Sequence, residues 1–406
     1  MVIWILNPFD DIPGEGKAQR YWTLADEFSK MGHQVVWWSS VFSHRKKERR
    51  SMPANSESLG FELRLVECAP YQRNVSLARI RNHRQWGSQL VRGALAAVER
   101  SELQAPDLIM ASMPPMEGPI AALRLKKHFG CKVVTDVMDA WPETLLQAMP
   151  SFGGIGRTIG NLLLGSYWRL LKRAILGSDG FSAQSETFSE FIARHGWDSH
   201  VEVCYLGASA LSSLEVNCSS SGALRVVYIG AMGRSYDLDT LMKAVGEMHE
   251  VSGRVQLHIA GVGEQLEQLR ESATGWGDGI VHFYGFLKEE ALGELLASCD
   301  VGMIPMYLQS GVAVPYKSGD YLSASLPIIN SLDGELRVLL DASRCGAFYE
   351  AGNVTSLVGA LKYYCNLSVE EMGREHSNAK ALFEAKFNRS STYPKFSQWL
   401  VDQCNN

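Results

Sequence analysis

The stretch that decides the fold is VVYIGAMGRSYDLDTLMKA, residues 226–244. Apolar residues typical of a buried strand run into a loop that carries Gly230 and Gly233, and a helical pattern begins near Asp237. A strand, a glycine-containing turn and a helix in this order begin a β-α-β unit, whose parallel strands need helices on both faces of the sheet. The stretch therefore predicts a doubly wound α/β domain.

The same alternation extends in both directions along the 406 residues. Short apolar runs alternate with helical patterns between residues 2 and 184, and the alternation restarts at residue 224. The small polar segment NCSSSG at 217–222 separates the two series and is typical of a linker. We therefore predict two doubly wound parallel-sheet domains, at 1–215 and 222–385, and a C-terminal helix at 386–406 that packs back on the first domain.

Composition excludes several classes of protein. The formal net charge is -5, whereas a protein that coats nucleic acid is usually strongly basic. No run of about 18 apolar residues predicts a membrane-spanning helix, and the apolar N-terminus lacks the basic start of a signal peptide. The eight cysteines are scattered without a CxxC pair, which predicts no zinc site and a reducing compartment. We expect a cytoplasmic protein without a metal.

A cation follows the first strand of the second domain. Arg234 lies on the loop after residues 226–229, at the carboxyl end of the strand, where open parallel sheets bind their ligands. A guanidinium there can hold a diphosphate through two hydrogen bonds and stabilise charge on a departing phosphate. The alternative is an ordinary surface arginine.

A second cation lies in SGVAVPYKSGDYLSASLPIIN, residues 310–330. Lys317 and Asp320 are three positions apart and share one face of a predicted helix. The small residues Ser310, Gly311 and Ala313 leave the start of that helix open to an anion. Lys317 would meet a phosphate, and the Asp320 carboxylate would accept hydrogen bonds from ribose hydroxyls. The alternative is an ion pair within the helix.

The loop after the first strand, NPFDDIPGEGKAQRYWTLADEF at 7–28, contains Gly14 and Gly16. These glycines allow a ligand to approach the backbone closely, and the following helix offers amide donors to an anion. The alternative is a turn that only packs the strand against the helix. The loop lacks GxGxxG, which disfavours a dinucleotide-dependent oxidoreductase.

Three acids lie in DVMDAWPE, directly after a predicted strand at 132–135. Asp136, Asp139 and Glu143 occupy the carboxyl end of that strand, where reactive groups gather. Asp139 is the first candidate for orienting an acceptor hydroxyl. The alternatives are helix capping by Asp139 and a hydrolase with paired carboxylates, although a hydrolase would leave the phosphate-binding loops unexplained.

Five motifs carry a family resemblance over most of residues 1–365. Retaining GT-B glycosyltransferases of family 4, in the branch that makes bacterial surface polysaccharides, share the patterns GxxGR, AGVG, FYGF, CDVGMIPM and PxKxxDYLxxxLPII, which start here at residues 230, 260, 283, 299 and 315. The resemblance implies two Rossmann-like domains that face each other across a cleft. It also implies transfer of a sugar from a nucleoside-diphosphate-sugar to an acceptor hydroxyl, with no cofactor.

The resemblance also assigns roles to residues. It implies that Asp139, Asp136, Arg234 and Lys317 are catalytic, and that Asp139, Trp141 and Glu143 bind the acceptor. The implied donor-binding residues are Gly14, Gly16, Gly230, Gly233, Arg234, Gly261, Gly263, Gly311, Val312, Ala313, Lys317 and Asp320. Val312 stands where the family has an acid, and the backbone amides of 311–313 are a possible substitute. No lysine follows Arg234 on its loop, so Lys317 would supply that charge.

The implied acceptor is a glycan or a lipid-linked glycan. Two basic segments, HRKKERR at 44–50 and YWRLLKR at 167–173, favour peripheral contact with the inner face of a membrane. The alternative is a solvated loop and an ordinary amphipathic helix. Two other functions stay open, a non-catalytic subunit that binds nucleotide-sugars and a GT-B sugar-nucleotide epimerase.

Overall fold

A computed structural model describes residues 1–54, 56–147, 160, 162, 164–211, 222–252, 254–277, 279–307 and 311–404. The chain divides into two compact units, Met1–Cys204 with Tyr393–Asn406, and Tyr205–Thr392. Most of the predicted linker, residues 217–221, and Ser310 lie outside the described residues.

The first unit contains a seven-stranded parallel sheet with the strand order β3-β2-β1-β4-β5-β6-β7. The strands are β1 (Val2–Leu6), β2 (Gln34–Ser40), β3 (Glu62–Val66), β4 (Leu108–Met113), β5 (Lys132–Val137), β6 (Gly180–Ala183) and β7 (Val201–Val203). The helices are α1 (Arg20–Lys30), α2 (Leu77–Glu99), α3 (Glu117–Phe129), α4 (Glu143–Gln147), α5 (Gly165–Gly177) and α6 (Glu186–Arg194).

Both faces of this sheet are buried. Along β1, Ile3 and Ile5 join a core that includes Tyr393 and Phe396 of the C-terminal helix, whereas Trp4 faces a second core. Alternate residues of a strand point to opposite faces, so a strand covered on both sides must be apolar throughout. This explains why VIWIL contains no polar residue.

The second unit contains a six-stranded parallel sheet with the order β10-β9-β8-β11-β12-β13. The strands are β8 (Leu224–Ile229), β9 (Val255–Ala260), β10 (Val281–Gly285), β11 (Val301–Ile304), β12 (Ile328–Asn330) and β13 (Gly346–Phe348). The helices are α7 (Leu238–Ser252), α8 (Leu266–Ser272), α9 (Glu289–Ala297), α10 (Tyr316–Ser323), α11 (Glu335–Ser343), α12 (Val354–Asn366), α13 (Val369–Leu382) and α14 (Arg389–Asp402), the last ending in the first unit.

Each sheet reverses its strand order once, between β1 and β4 in the first unit and between β8 and β11 in the second. The loops that leave these neighbouring strands diverge to opposite sides of the sheet, and the crevice between them is the usual ligand site of open parallel sheets. The doubly wound α/β fold predicted from the sequence is therefore confirmed. None of the described helices is long and apolar enough to cross a membrane.

Candidate functional site

The two loops at the strand reversal of the second unit are tied together. The backbone amide of Tyr307 donates to the Ser235 carbonyl oxygen at 3.1 Å, and that of Asp237 donates to Pro305 at 2.9 Å. The Asp237 carboxylate also accepts a hydrogen bond from the Tyr307 hydroxyl at 3.0 Å. The loop after β8, which carries Arg234, therefore has a fixed position beside the loop after β11.

Lys317, in the first turn of α10, lies against the base of the same loop. Its side chain is buried, and its ammonium nitrogen lies 4.2 Å from the ring centre of Tyr228 and 4.0 Å from that of Tyr236. The ammonium makes no hydrogen bond to any described residue. Burial lowers the pKa of Lys317 to about 7, although the charge of Asp320 opposes the shift. A buried ammonium that contacts two aromatic faces and makes no hydrogen bond is only partly compensated by Asp320 and would gain from an anion.

Three glycines are required where the loops after β8 and β9 touch. Gly230 has φ +113°, and a Cβ there would lie 3.4 Å from the Lys317 ammonium nitrogen. A Cβ on Gly261 would overlap the Gly230 carbonyl oxygen, and one on Gly263 would lie 2.6 Å from the Met232 amide nitrogen. Gly261 and Gly263 therefore let two backbones pack directly, a structural reason that exists alongside the predicted donor-binding role.

Arg234 lies at the tip of the loop, next to Gly233. Its side chain is 89% exposed and pairs with Glu264, with 3.3 Å between Nε and Oε1. An ion pair this exposed contributes little to stability, so the guanidinium is free to exchange its partner. Two cations therefore lie at this strand reversal. Arg234 is exposed on the loop after β8, and Lys317 is buried on α10 against the base of that loop.

Helix α10 is anchored by a residue that the sequence analysis missed. The Tyr321 hydroxyl accepts from the Ile229 amide at 2.9 Å and donates to the Met303 carbonyl oxygen at 3.0 Å, so it bridges β8 and β11 at the strand reversal. A Cβ on Gly302 would come within 2.5 Å of the Tyr321 ring. The DYL motif and the glycine within an apolar strand were the available signals.

The residues before α10 lead into a helix end that has no side-chain cap. Gly311 has φ +67°, Val312 is 37% exposed, and Ala313 is half-buried. Asp320, one turn into the helix from Lys317, is also half-buried. The exposed apolar side chain of Val312 offers no hydrogen bond to a sugar, so only the backbone of this segment has polar groups to offer.

The structure corrects the catalytic role predicted for Asp136. Its carboxylate and the Arg20 guanidinium are both fully buried and form two hydrogen bonds, at 2.7 and 2.9 Å. The hydroxyls of Tyr21 and Ser182 donate to the same carboxylate at 2.6 and 2.7 Å. All of these partners belong to the first unit. A carboxylate so enclosed stabilises the fold and cannot touch a substrate.

The loop that carries Gly14 and Gly16 is fastened by the basic segment 44–50. Arg45 pairs with Asp11 at 2.7 Å, and the fully buried Arg50 pairs with Glu15 at 2.9 Å. A Cβ on Gly16 would lie 2.8 Å from the Asp11 carboxylate. This geometry favours a structural role for Gly16, and it shows that much of the predicted cationic surface is used inside the first unit.

Asp139 lies in a half-buried position between β5 and α4. Its carboxylate accepts hydrogen bonds from the Thr144 hydroxyl at 2.6 Å and from the Trp141 indole at 3.1 Å. Burial raises the pKa of Asp139, and the two hydrogen bonds oppose that shift. Trp141 is itself buried beneath the Arg79 guanidinium, whereas Glu143 is partly exposed and pairs with His195 at 3.0 Å. Of the three predicted acceptor residues, Asp139 and Glu143 are partly exposed and Trp141 is buried.

Within the described ranges, no group of three or more His, Cys, Asp or Glu side chains could hold a metal ion.

Comparison with known proteins identifies part of the second unit. Residues 223–366 match the family model of the glycosyl transferases group 1. This segment contains Arg234, Lys317 and Asp320, together with the strand reversal between them. No curated protein sequence matches the chain.

Solved structures resemble the whole chain at low sequence identity. Sucrose-phosphate synthase from Thermosynechococcus elongatus superposes with a TM-score of 0.68 at 13% identity, over 99% of this chain and 98% of that one. Anabaena HepE in complex with UDP superposes with a TM-score of 0.68 at 14% identity, over 99% of this chain and 100% of HepE. WaaG, a glycosyltransferase involved in lipopolysaccharide biosynthesis, superposes with a TM-score of 0.62 at 13% identity, over 99% of this chain and 100% of WaaG. The chain thus has the α/β architecture of two Rossmann-like domains named GT-B.

Proposed function

We propose that this chain, a glycosyltransferase by its group 1 domain at residues 223–366, is a retaining enzyme of family 4. It would transfer a sugar from a nucleoside-diphosphate-sugar to an acceptor hydroxyl during the synthesis of a bacterial surface polysaccharide. The donor's own leaving phosphate would accept the proton of the attacking hydroxyl on the same face of the sugar. Lys317 and Arg234 would stabilise the negative charge that develops on the departing diphosphate.

The observation that carries this proposal is the buried ammonium of Lys317 at the strand reversal of the group 1 domain, which makes no hydrogen bond to a described residue. A diphosphate at this point would provide the counter-charge that the described residues do not. Asp320, three positions along α10, would then hold the ribose. UDP is the first nucleotide to test, because HepE was solved with UDP and with UDP-glucose.

A thermal-shift screen of UDP, GDP, ADP and CMP tests the donor site. A ligand at a concentration of 100 times its dissociation constant stabilises the fold by about 2.7 kcal/mol, which shifts the melting temperature measurably. We expect one diphosphate to do so and CMP to have a smaller effect. Sugar transfer should then persist in EDTA, because protein cations hold the diphosphate. If none of the four changes the melting temperature, the proposed donor site is wrong.

Arg234→Ala should weaken diphosphate binding by about 1.5–3 kcal/mol, because a charge-assisted hydrogen bond is lost. Isothermal titration calorimetry measures this loss directly. Arg270→Ala is the matched control, since Arg270 is also exposed and paired with a glutamate, Glu267, but lies on α8 away from the loop. Equal affinities for the Arg234 variant and the wild type would remove Arg234 from the donor site.

Asp139→Asn should lower the turnover number by roughly 100-fold while donor affinity stays unchanged, because the carboxylate would orient the acceptor hydroxyl. Thr144→Val is the control, since it removes the 2.6 Å hydrogen bond to Asp139 and leaves the carboxylate in place. Steady-state kinetics with calorimetry of the donor separates the two effects. Full activity of the Asp139 variant would exclude it from the mechanism.

We also propose that the enzyme works at the cytoplasmic face of a membrane, on a glycan or lipid-linked glycan acceptor. Helix α5 supports this contact, because Arg169, Lys172 and Arg173 are exposed along it. Exposed cations near an anionic surface each contribute about 1 kcal/mol of attraction.

A further inference from the structure

A pocket of about 280 Å³ opens in the first unit, between helices α2, α3 and α5. Its lining includes Arg84, Glu117, Arg124, Tyr167, Leu170 and Arg173. Each of the three arginines comes from a different helix. No part of the donor loops contributes to the pocket, and the function proposed above leaves it unexplained.

The three arginines have no ion-pair partner among the described residues, although the charge of Arg84 acts on the Glu117 carboxyl and opposes the rise in its pKa that burial causes. All of them are exposed, and none forms an ion pair with a carboxylate in the described part of the chain. Three guanidinium groups around one opening repel one another unless an anion lies between them. Arginine presents several donors in a planar fork, which matches the oxygens of a tetrahedral anion.

The pocket has close-packed walls. A Cβ on Gly87 of α2 would lie 3.0 Å from the Cβ of Glu117 on α3, and one on Gly177 of α5 would lie 2.7 Å from a methyl carbon of Leu123. Glycine at these two positions lets α2 and α5 approach α3 closely. The pocket is therefore a feature of helix packing, and the backbone positions of its arginines are set by the three helices.

The inner part of the pocket contains an acid whose burial favours the protonated form. The Glu117 side chain is 12% exposed, and its Oε2 has no hydrogen-bond partner among the described residues. Burial raises the pKa of Glu117 to about 7, whereas burial lowers the pKa of His83, 3.9 Å away, to about 3. A protonated carboxyl beside a neutral imidazole can donate a hydrogen bond to an oxyanion without repelling it.

We propose that this pocket binds the phosphate group of a ligand, with Arg84, Arg124 and Arg173 around the anion and Glu117 as a hydrogen-bond donor behind it. The phosphate belongs either to a membrane lipid or to a soluble phosphorylated molecule. The site is independent of the donor site proposed for the second unit.

Sulfate is the probe, because it is a tetrahedral dianion whose charge does not change near neutral pH. Calorimetric titration at pH 7 should show binding by the wild-type protein and binding at least tenfold weaker by the double variant Arg124→Gln/Arg173→Gln. The control is Arg169→Gln/Lys172→Gln, which removes two exposed cations of α5 that do not line the pocket. It should bind sulfate like the wild type. Glu117→Gln keeps a donor and removes the acid, so it should bind at least as tightly.

Flotation with phosphatidylcholine vesicles, with and without phosphatidic acid, distinguishes the two sources. Recruitment that needs phosphatidic acid and falls much further in Arg124→Gln/Arg173→Gln than in Arg169→Gln/Lys172→Gln assigns the phosphate to a lipid, whereas sulfate binding without such a difference in recruitment assigns it to a soluble molecule. Either result supports the site. Failure of the wild type to bind sulfate, or equal binding by the pocket variant and the control, would overturn the proposal. The pocket variant and its control both change residues of the first unit only, so the difference between their sulfate affinities does not depend on the donor site of the second unit.

Discussion

Lys317→Met is expected to raise the melting temperature of the ligand-free protein and to abolish its response to UDP. The folded protein buries the Lys317 ammonium, and its pKa falls from 10.5 to about 7. That difference corresponds to a cost on the order of 4 kcal/mol at neutral pH. Methionine has a similar shape and no charge, so the variant should recover much of this cost, as a rise of roughly 5–10 °C. The same substitution removes the cation that we place against the diphosphate.

The pH dependence has a definite sign. Below pH 7 both the folded and the unfolded states carry the Lys317 proton, and the cost is fully present. Between pH 7 and 10.5 the unfolded state binds more protons, so the stability of the ligand-free wild type should rise with pH. UDP binding needs the charged form and should weaken about 15-fold from pH 7 to 8.5, as the charged fraction of Lys317 falls. Neither trend should remain in the methionine variant.

Calorimetry with UDP and thermal melts at both pH values measure these effects. Lys243→Met is the matched control, because Lys243 is an exposed lysine of the same unit that pairs with Asp239. It should change neither the melting temperature nor UDP affinity. An unaltered melting temperature together with normal UDP binding by Lys317→Met would refute the role that we give to Lys317.

Arg20→Met should destabilise the protein by about 3–5 kcal/mol, the largest loss that we expect from one substitution. It leaves the Asp136 carboxylate buried without its counter-ion, and breaking a buried pair costs far more than the pair itself contributes. The hydroxyls of Tyr21 and Ser182 would remain as donors, but they carry no charge. Urea unfolding followed by tryptophan fluorescence measures the change in the free energy of unfolding.

The double variant Arg20→Met/Asp136→Leu tests whether the loss comes from the stranded charge. It removes both charges and should recover most of the stability that the single variant loses. Arg270→Met, in an exposed pair, is the control and should change the free energy of unfolding by less than about 0.5 kcal/mol. A loss below about 1 kcal/mol for Arg20→Met would mean that water reaches Asp136.

The sequence predicts the fold well because both sheets are buried on two faces. Strands such as VIWIL and VVYI must then be apolar at every position, which makes them visible as short runs between helical patterns. The edge strands β7 and β13 cannot be recognised in this way, since VEV and GAF are only three residues long and too short to show a period. The start of helix α11 also carries no sequence signal, because its N-cap residue, Gly334, has no side chain with which to cap the helix.

The candidate site was predictable only in part. The positions of Arg234 and Lys317 follow from strand order, because both lie where neighbouring strands end. The enclosure of Asp136 did not follow, because its partner Arg20 is 116 positions away in the sequence. Arg20 lies in the first turn of α1, where its side chain could equally have faced solvent. Similarly, the sequence of residues 44–50 contains no pattern that predicts the burial of Arg50 against Glu15.

The attachment of the first loop to Arg45 and Arg50 affects how charge-neutralisation experiments must be interpreted. An alanine scan through residues 44–50 would seem the obvious way to test electrostatic adhesion to anionic vesicles. Removing Arg50, however, strands the Glu15 carboxylate and releases a hydrogen bond to the Asp10 carbonyl oxygen, so the loop between β1 and α1 would lose its shape. A scan of this kind would therefore show weaker adhesion even if the wild-type arginines never contacted a lipid. The result would be a false positive, because it would come from the altered loop and not from a lost lipid contact.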